Sequence, residues 1–194
     1  MESTIGIPCQ QCSTEGITML TSSSEIPYFG EYTQITLCCD NCGWKHTDFI
    51  PSEGVLPGFW SLEIDESDKL DARVVRSSSC TVRIPEVEIE VFPGSSSSGF
   101  ITNIEGLINR FIDAIGTIVR GANGDPDDDG EEEALALLEK LDNVKSGLES
   151  VTIELLDPRG RSQIVHDQAD RRELEQDESD ALQIGFDIPI TEQP

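Results

Sequence analysis

Two Cys-x-x-Cys pairs, Cys9-Gln10-Gln11-Cys12 and Cys39-Asp40-Asn41-Cys42, carry the most specific chemistry in the sequence. Each pair forms a tight turn that lets both thiolates face one centre. Two such turns set face to face supply four sulfurs in tetrahedral array, the closed coordination of a structural zinc. The reading is one ion per chain, held by Cys9, Cys12, Cys39 and Cys42. The 26 residues between Cys12 and Cys39 exceed the shortest zinc-ribbon gap, and a hairpin between the pairs absorbs them. Gly43, directly after the second pair, lets backbone amides bend toward the sulfurs. A disulfide framework is the competing reading of six cysteines, and an intracellular location argues against it.

The remaining candidates have plainer readings. Cys38 adjoins a ligand, and neighbouring strand side chains point to opposite faces, so Cys38 and Cys39 cannot both ligate. Cys80 lies in a serine-rich turn and reads as a small buried residue. His46 follows Cys42 by four positions, but four sulfurs already fill the shell. With His166 it makes two histidines in all, too few for the open His-rich sites of metal-dependent oxygenases or hydrolases. Carboxylate pairs at any spacing arise by chance in so acidic a chain. Asp125 to Glu133 lacks the alternating ligands of a calcium loop. No phosphate-cradling Gly-rich loop with lysine is present, and Ser95 to Ser98 leads to no nucleophile motif. No catalytic residue and no organic-cofactor site is expected, and the chain reads as a binding protein rather than an enzyme.

Charge narrows the partners. Of 194 residues 38 are acidic and 13 basic, a formal charge of −25. Nucleic-acid binding needs a basic footprint that these dispersed cations do not form, and an anionic membrane surface is disfavoured for the same reason. No apolar run approaches the roughly 18 residues of a membrane-spanning helix. The first eight residues lack the basic flank and apolar core of a signal peptide. A cytoplasmic protein is expected. Only Lys45, Lys69, Lys140 and Lys145 are lysines, and an acid-rich, lysine-poor surface suits a high-salt cytoplasm, where salt screens self-repulsion.

The elements that must position the cysteines follow. Residues 1–52 read as a zinc module, with strand signals at Gly16 to Leu20 and Tyr32 to Cys39 and a turn at Ile26-Pro27-Tyr28-Phe29-Gly30. Tyr28 and Phe29 are expected to pack over the zinc knuckle. So small a module cannot bury a core unaided, and metal binding contributes on the order of 10–16 kcal/mol to its folding. Pro51, Gly54, Pro57 and Gly58 mark a junction. Residues 53–194 then read as β-rich, with strands at Leu62 to Ile64, Ala72 to Arg76, Thr81 to Ile84, Val87 to Phe92, Val151 to Leu156, Arg161 to Val165 and Ala181 to Ile188. In Val87 to Phe92, alternation places Val87, Ile89 and Val91 on a buried face. A helical hairpin interrupts the strands over about 102–149. Thr102 and Glu105 fit a capping box. Ile104, Leu107, Ile108, Phe111, Ile112, Ile115 and Val119 form one stripe, read as core. Asp125 to Glu133, seven carboxylates in nine residues, is a solvated turn. Ala134, Leu137, Leu138, Leu141, Val144 and Leu148 form the second stripe. A sandwich or a closed β-helix would bury so many short strands.

Cys9-x-x-Cys12, Ile26-Pro27-Tyr28-Phe29-Gly30, Cys39-x-x-Cys42-Gly43, Asp71 to Arg76, Ile84-Pro85-Glu86, Gly99 to Leu107 and Leu156-Asp157-Pro158-Arg159-Gly160 occur in that order. Together they resemble the Zpr-type zinc-finger domain family over nearly the whole chain. The resemblance implies a mostly β chain: a four-cysteine zinc ribbon followed by a double-stranded β-helix domain with an inserted α-helical hairpin. Eukaryotic members carry two copies of this unit, and one copy resembles the archaeal form. The resemblance also implies a partner, translation elongation factor 1-alpha, whose folding the eukaryotic relatives assist. A zinc-ribbon adaptor in transcription or translation, and a metal-dependent β-helix enzyme, are the rival functions.

Four thiolates less one Zn²⁺ bring the chain from −25 to about −27. The Debye length falls from about 10 Å at 0.1 M salt to about 3 Å at 1 M. The thermal midpoint is therefore expected to rise with KCl over this range in a calorimetric series, and a flat or falling midpoint contradicts the high-salt reading.

Overall fold

The computed structural model describes residues 1–27, 29–52, 56–121 and 129–186. Four strands open the chain: β1 (Glu2–Pro8), β2 (Glu15–Ile26), β3 (Gly30–Cys38) and β4 (Lys45–Pro51). They form an antiparallel meander in chain order. Alternation on β2 and β3 turns Ile17, Ile35 and Leu37 to one face, where they pack with Cys9 and Cys39. This core is small, as expected of a metal-supported module.

The second part uses β5 (Gly58–Ile64), β6 (Arg73–Arg76), β7 (Thr81–Ile84), β8 (Ile89–Val91), β9 (Phe100–Asn103), β10 (Val151–Asp157), β11 (Gln163–Val165) and β12 (Asp170–Glu173). A five-stranded sheet runs β12-β5-β10-β7-β8 and a three-stranded sheet β11-β6-β9, with every pairing antiparallel. Between β9 and β10 the chain makes α1 (Ile104–Gly121) and α2 (Asp129–Lys145). Ile104, Leu107, Ile108 and Phe111 from α1 and Leu141 and Val144 from α2 enter one core with Leu62, Val74, Val82, Ile153 and Leu155 of the sheets. The inserted hairpin thus belongs to the core of the β-domain.

Several local expectations change. The N-cap of α1 is Asn103, whose Oδ1 accepts the Gly106 amide at 2.9 Å. Thr102 instead pairs with Val74 as part of β9. Val87 to Phe92 is not one strand: Pro85–Val87 is a 3₁₀ turn and Glu88 sits at φ 52°, which resets the chain before Ile89. Val87 and Ile89 still pack against the core as the alternation predicts, but Val91 does not, and it and Phe92 are exposed. Leu148 is exposed as well, because α2 ends at Lys145 and Gly147 turns the chain at φ 69°. Of the strand expected over Ala181 to Ile188, the described residues 181–186 form none. Helix α3 (Gln176–Ala181) ends where that strand was expected to begin, started by the Glu175 amide donating to Glu178 Oε2 at 2.9 Å; residues 187 and 188 lie outside the described residues, as does 125–128 of the acidic turn. Phe29 packs with Ile26, Tyr32, Phe49 and Val75, at the end of β2 away from the cysteine turns. The intervening strand is 12 residues long and keeps it far from the sulfurs. Tyr28 lies outside the described residues.

A buried polar joint ties the two parts together. Asp48, on β4, is fully buried and accepts the Ser78 amide at 2.8 Å, the Ser78 hydroxyl at 2.9 Å and Arg161 Nη1 at 3.0 Å. Asp157, at the end of β10, accepts three serine hydroxyls (Ser77, Ser79 and Ser162) at 2.7, 2.7 and 2.6 Å. It also takes the Arg159 and Arg161 amides at 2.9 Å each. Each carboxylate is thereby saturated with donors, as burial of a charge demands. Gly99 is required here: its amide donates to the Thr47 carbonyl, and a Cβ would stand 2.8 Å from Asp48 Oδ1. Replacing Arg161 by Met leaves Asp48 buried without its counter-charge, and a loss of about 3–5 kcal/mol in urea unfolding is expected.

Candidate metal centre

Both cysteine pairs are built on the same turn. Cys9 ends the first hydrogen-bonded strand, and its amide donates to the Thr14 carbonyl while its carbonyl accepts the Ser13 amide, both at 2.9 Å. Cys39 repeats this thirty residues later: its amide donates to the Trp44 carbonyl and its carbonyl accepts the Gly43 amide, again at 2.9 Å. The fifth residue of each turn adopts a left-handed conformation, Ser13 at φ 58° and Gly43 at φ 75°. Nothing crowds a Cβ at Gly43, so backbone conformation alone is what favours glycine there.

The two turns meet so that the four Sγ atoms lie within 4.8 Å of one another. Cys9 and Cys42 approach to 3.6 Å, as do Cys12 and Cys39. A Zn–S bond of about 2.3 Å gives a tetrahedral shell with S–S edges of about 3.8 Å. The sulfur cluster therefore has the size of a zinc shell. Cys9 and Cys39 are buried, Cys12 is half-buried and Cys42 exposed, so the site is anchored on the ribbon core and opens outward.

The electrostatics favour a bound cation. The Thr14 hydroxyl and the Asn41 amide hydrogen-bond Cys12 Sγ and hold its thiol down at about 5. The Trp44 amide draws the Cys42 thiol down, but burial and the neighbouring sulfurs outweigh it and push that thiol up to about 12. Four thiolates this close repel one another unless a dication lies between them.

The sequence-identified set Cys9, Cys12, Cys39 and Cys42 is the group that the fold brings together, and among the described residues no other cluster has this metal-holding arrangement. Cys38 ends β3, half-buried between Thr18 and Lys45, outside the cluster. Cys80 is buried against the joint, with its thiol pushed up to about 12 by burial. His46 is buried and stacks on Trp44 at 5.9 Å, and it too stands outside the sulfur group. Sequence reasoning missed Asp48, Asp157 and Arg161. The signal available was the clustering of hydroxyls and amides around them, in Ser77-Ser78-Ser79 and Arg161-Ser162, since a buried carboxylate needs such donors.

No helix among the described residues is long and apolar enough to cross a membrane. The model of the ZPR1 zinc-finger domain matches residues 3–55, and that of the ZPR1 jelly-roll domain matches residues 68–183. A ZPR1-like protein of Methanocaldococcus jannaschii is 34% identical over 189 residues, covering 97% of this chain and 94% of its own. The zinc finger protein ZPR1 of Bos taurus is 31% identical over 172 residues, covering 85% of this chain but 36% of its own. The zinc finger chaperone zpr1 of Schizosaccharomyces pombe is 28% identical over 158 residues, 80% of this chain and 33% of its own. The chain thus spans about a third of these two eukaryotic relatives. With both domain models in order and a full-length archaeal match, the chain belongs to the ZPR1 family, a zinc-binding, mostly β fold of ribbon and jelly roll with an inserted helical hairpin.

Proposed function

We propose that this protein is a zinc-dependent folding chaperone or binding partner of the translation elongation factor 1-alpha GTPase, with Cys9, Cys12, Cys39 and Cys42 as the ligands of one structural zinc. The sulfur cluster, sized for a tetrahedral ion on a ribbon whose own core is small, is the observation that carries the reading. The name of the fission-yeast relative supports a chaperone role. Residues 1–52 are taken as the zinc module and residues 53–194 as the β-domain.

A protein partner also has a surface to meet. Beside the hairpin lies a groove of about 540 Å³ whose lining includes apolar Ile115, Ile118 and Leu137, three carboxylates (Glu86, Glu88 and Glu133) and one cation, Lys140. Ile118 is 69% exposed, an apolar site framed by acid on a strongly acidic chain. Such a frame favours a basic partner segment and repels nucleic acid.

Metal analysis is expected to give one zinc per chain. Cys39→Ser should lose the ion and melt the ribbon, while Cys38→Ser and Cys80→Ser retain one equivalent. A second equivalent, or metal loss from Cys38→Ser, overturns the ligand set.

The partner is tested by capture of purified elongation factor 1-alpha in its apo, GDP and GTP states. A chaperone that must also release its client binds these states unequally, so capture is expected to depend on the nucleotide and to fail with Cys39→Ser. Absence of capture in every state refutes the proposed partner. Equal capture by Cys39→Ser moves the contact surface onto the jelly roll.

A further inference from the structure

The C-terminal segment crosses from one part of the molecule to the other. Leu182 packs with Leu156 and Leu174 on the jelly roll, yet four residues later Phe186 packs against the ribbon core of Cys9, Ile17, Ile35, Leu37 and Cys39. Its ring stands edge-on to two others, 5.0 Å from His46 at 86° and 5.6 Å from Trp44 at 87°. Those two rings are themselves a stacked pair, 9° from parallel with centroids 5.9 Å apart, and together they wall one side of the segment. Perpendicular aromatic packing at this separation is a favoured geometry, so the wall selects a ring standing at right angles to its own two.

The residue before the ring is selected as well. A Cβ at Gly185 would come within 2.7 Å of the Gly94 carbonyl oxygen. Only glycine allows the backbone so close. Alongside the segment lies an open groove of about 500 Å³, lined by Gln10 of the first knuckle, Gly94 and Ser95 of the loop before β9, and residues 183–186 of the segment itself. The segment thus forms one side of that groove, and Ile184 remains 46% exposed.

We propose that the Trp44–His46 wall of the zinc ribbon is a binding slot for an extended peptide carrying glycine followed by an aromatic residue, and that residues 182–186 fill it in cis as a removable strap. The slot belongs to the second knuckle, because the Trp44 carbonyl accepts the Cys39 amide at 2.9 Å. A filled slot braces that turn. Strap release uncovers the aromatic wall and loosens the turn. The link to metal retention rests on the zinc ligands proposed above, whereas occupancy of the slot does not.

The test uses the full chain with Trp60→Phe, which leaves Trp44 as the only indole of the two. Phe186→Ala and Gly185→Ala are expected to shift Trp44 emission to longer wavelength and to speed zinc transfer to a chelator about tenfold. Ile184→Ala should change neither. A synthetic peptide of residues 181–194, added to the Phe186→Ala chain, should restore both readouts; the same peptide carrying Phe186→Ala should not. Unchanged emission in both strap variants overturns the slot. Altered emission that the native peptide cannot reverse overturns an exchangeable strap and leaves a fixed packing contact. A parent chain without one equivalent of zinc strikes the ligand set instead, and the emission and peptide arms still decide the slot.

Discussion

Mutual repulsion among four close sulfurs is the constraint around which the ribbon is organised. Thiolates gathered within 4.8 Å are stable only when a dication screens them. The folded ribbon and the metal are therefore one thermodynamic unit. Two nearly identical turns, related by a shift of thirty residues, deliver the sulfurs, and the strands between them supply a core too small to fold by itself. Hydrogen bonds from Thr14 and Asn41 favour the thiolate at Cys12 before any ion arrives.

The ribbon does not stand alone, and polar chemistry joins it to the jelly roll. Asp48 reaches from β4 into the jelly roll to meet Ser78 and Arg161, and Asp157 organises the serines and turn amides alongside it. Buried carboxylates are costly, and full satisfaction of each offsets that cost while fixing the relative placement of the loops that carry the donors. An apolar joint would tolerate sliding; a network of directed hydrogen bonds does not. Phe186 makes a second, aromatic connection on the knuckle side. One tie is thus polar and buried, the other apolar and at the chain's C-terminal strap.

Charge shapes the outside as strongly as it shapes the joint. A chain at −25 repels polyanions and draws basic surfaces from a distance set by the ionic strength. Where apolar side chains reach the surface beside the helical hairpin, three glutamates and one lysine line the same groove. Long-range attraction and short-range apolar contact then act on the same face, an arrangement suited to a protein client.

The grouping of the four cysteines and most of each hairpin stripe were legible in the sequence because both depend on local spacing: sulfur pairs on a turn, apolar residues at a helical period. Thr81 to Ile84 could be read to the residue, since three β-branched residues, Thr81, Val82 and Ile84, stand between Cys80 and Pro85. What escaped was decided by distant partners. Strand β12, Asp170-Arg171-Arg172-Glu173, has no apolar signal and exists because its backbone pairs with β5. The apolar residues of Ala181 to Ile188 suggested a strand, but α3 runs up to Ala181 and the contacts of Leu182 and Phe186 with different clusters hold residues 182–186 as a strap. Asp48 looked like one carboxylate among many. Only the fold, by bringing residues 48, 78 and 161 together, turned it into the anchor between the two parts, because a buried charge acquires its role from the donors that surround it and those donors lie far away in the chain.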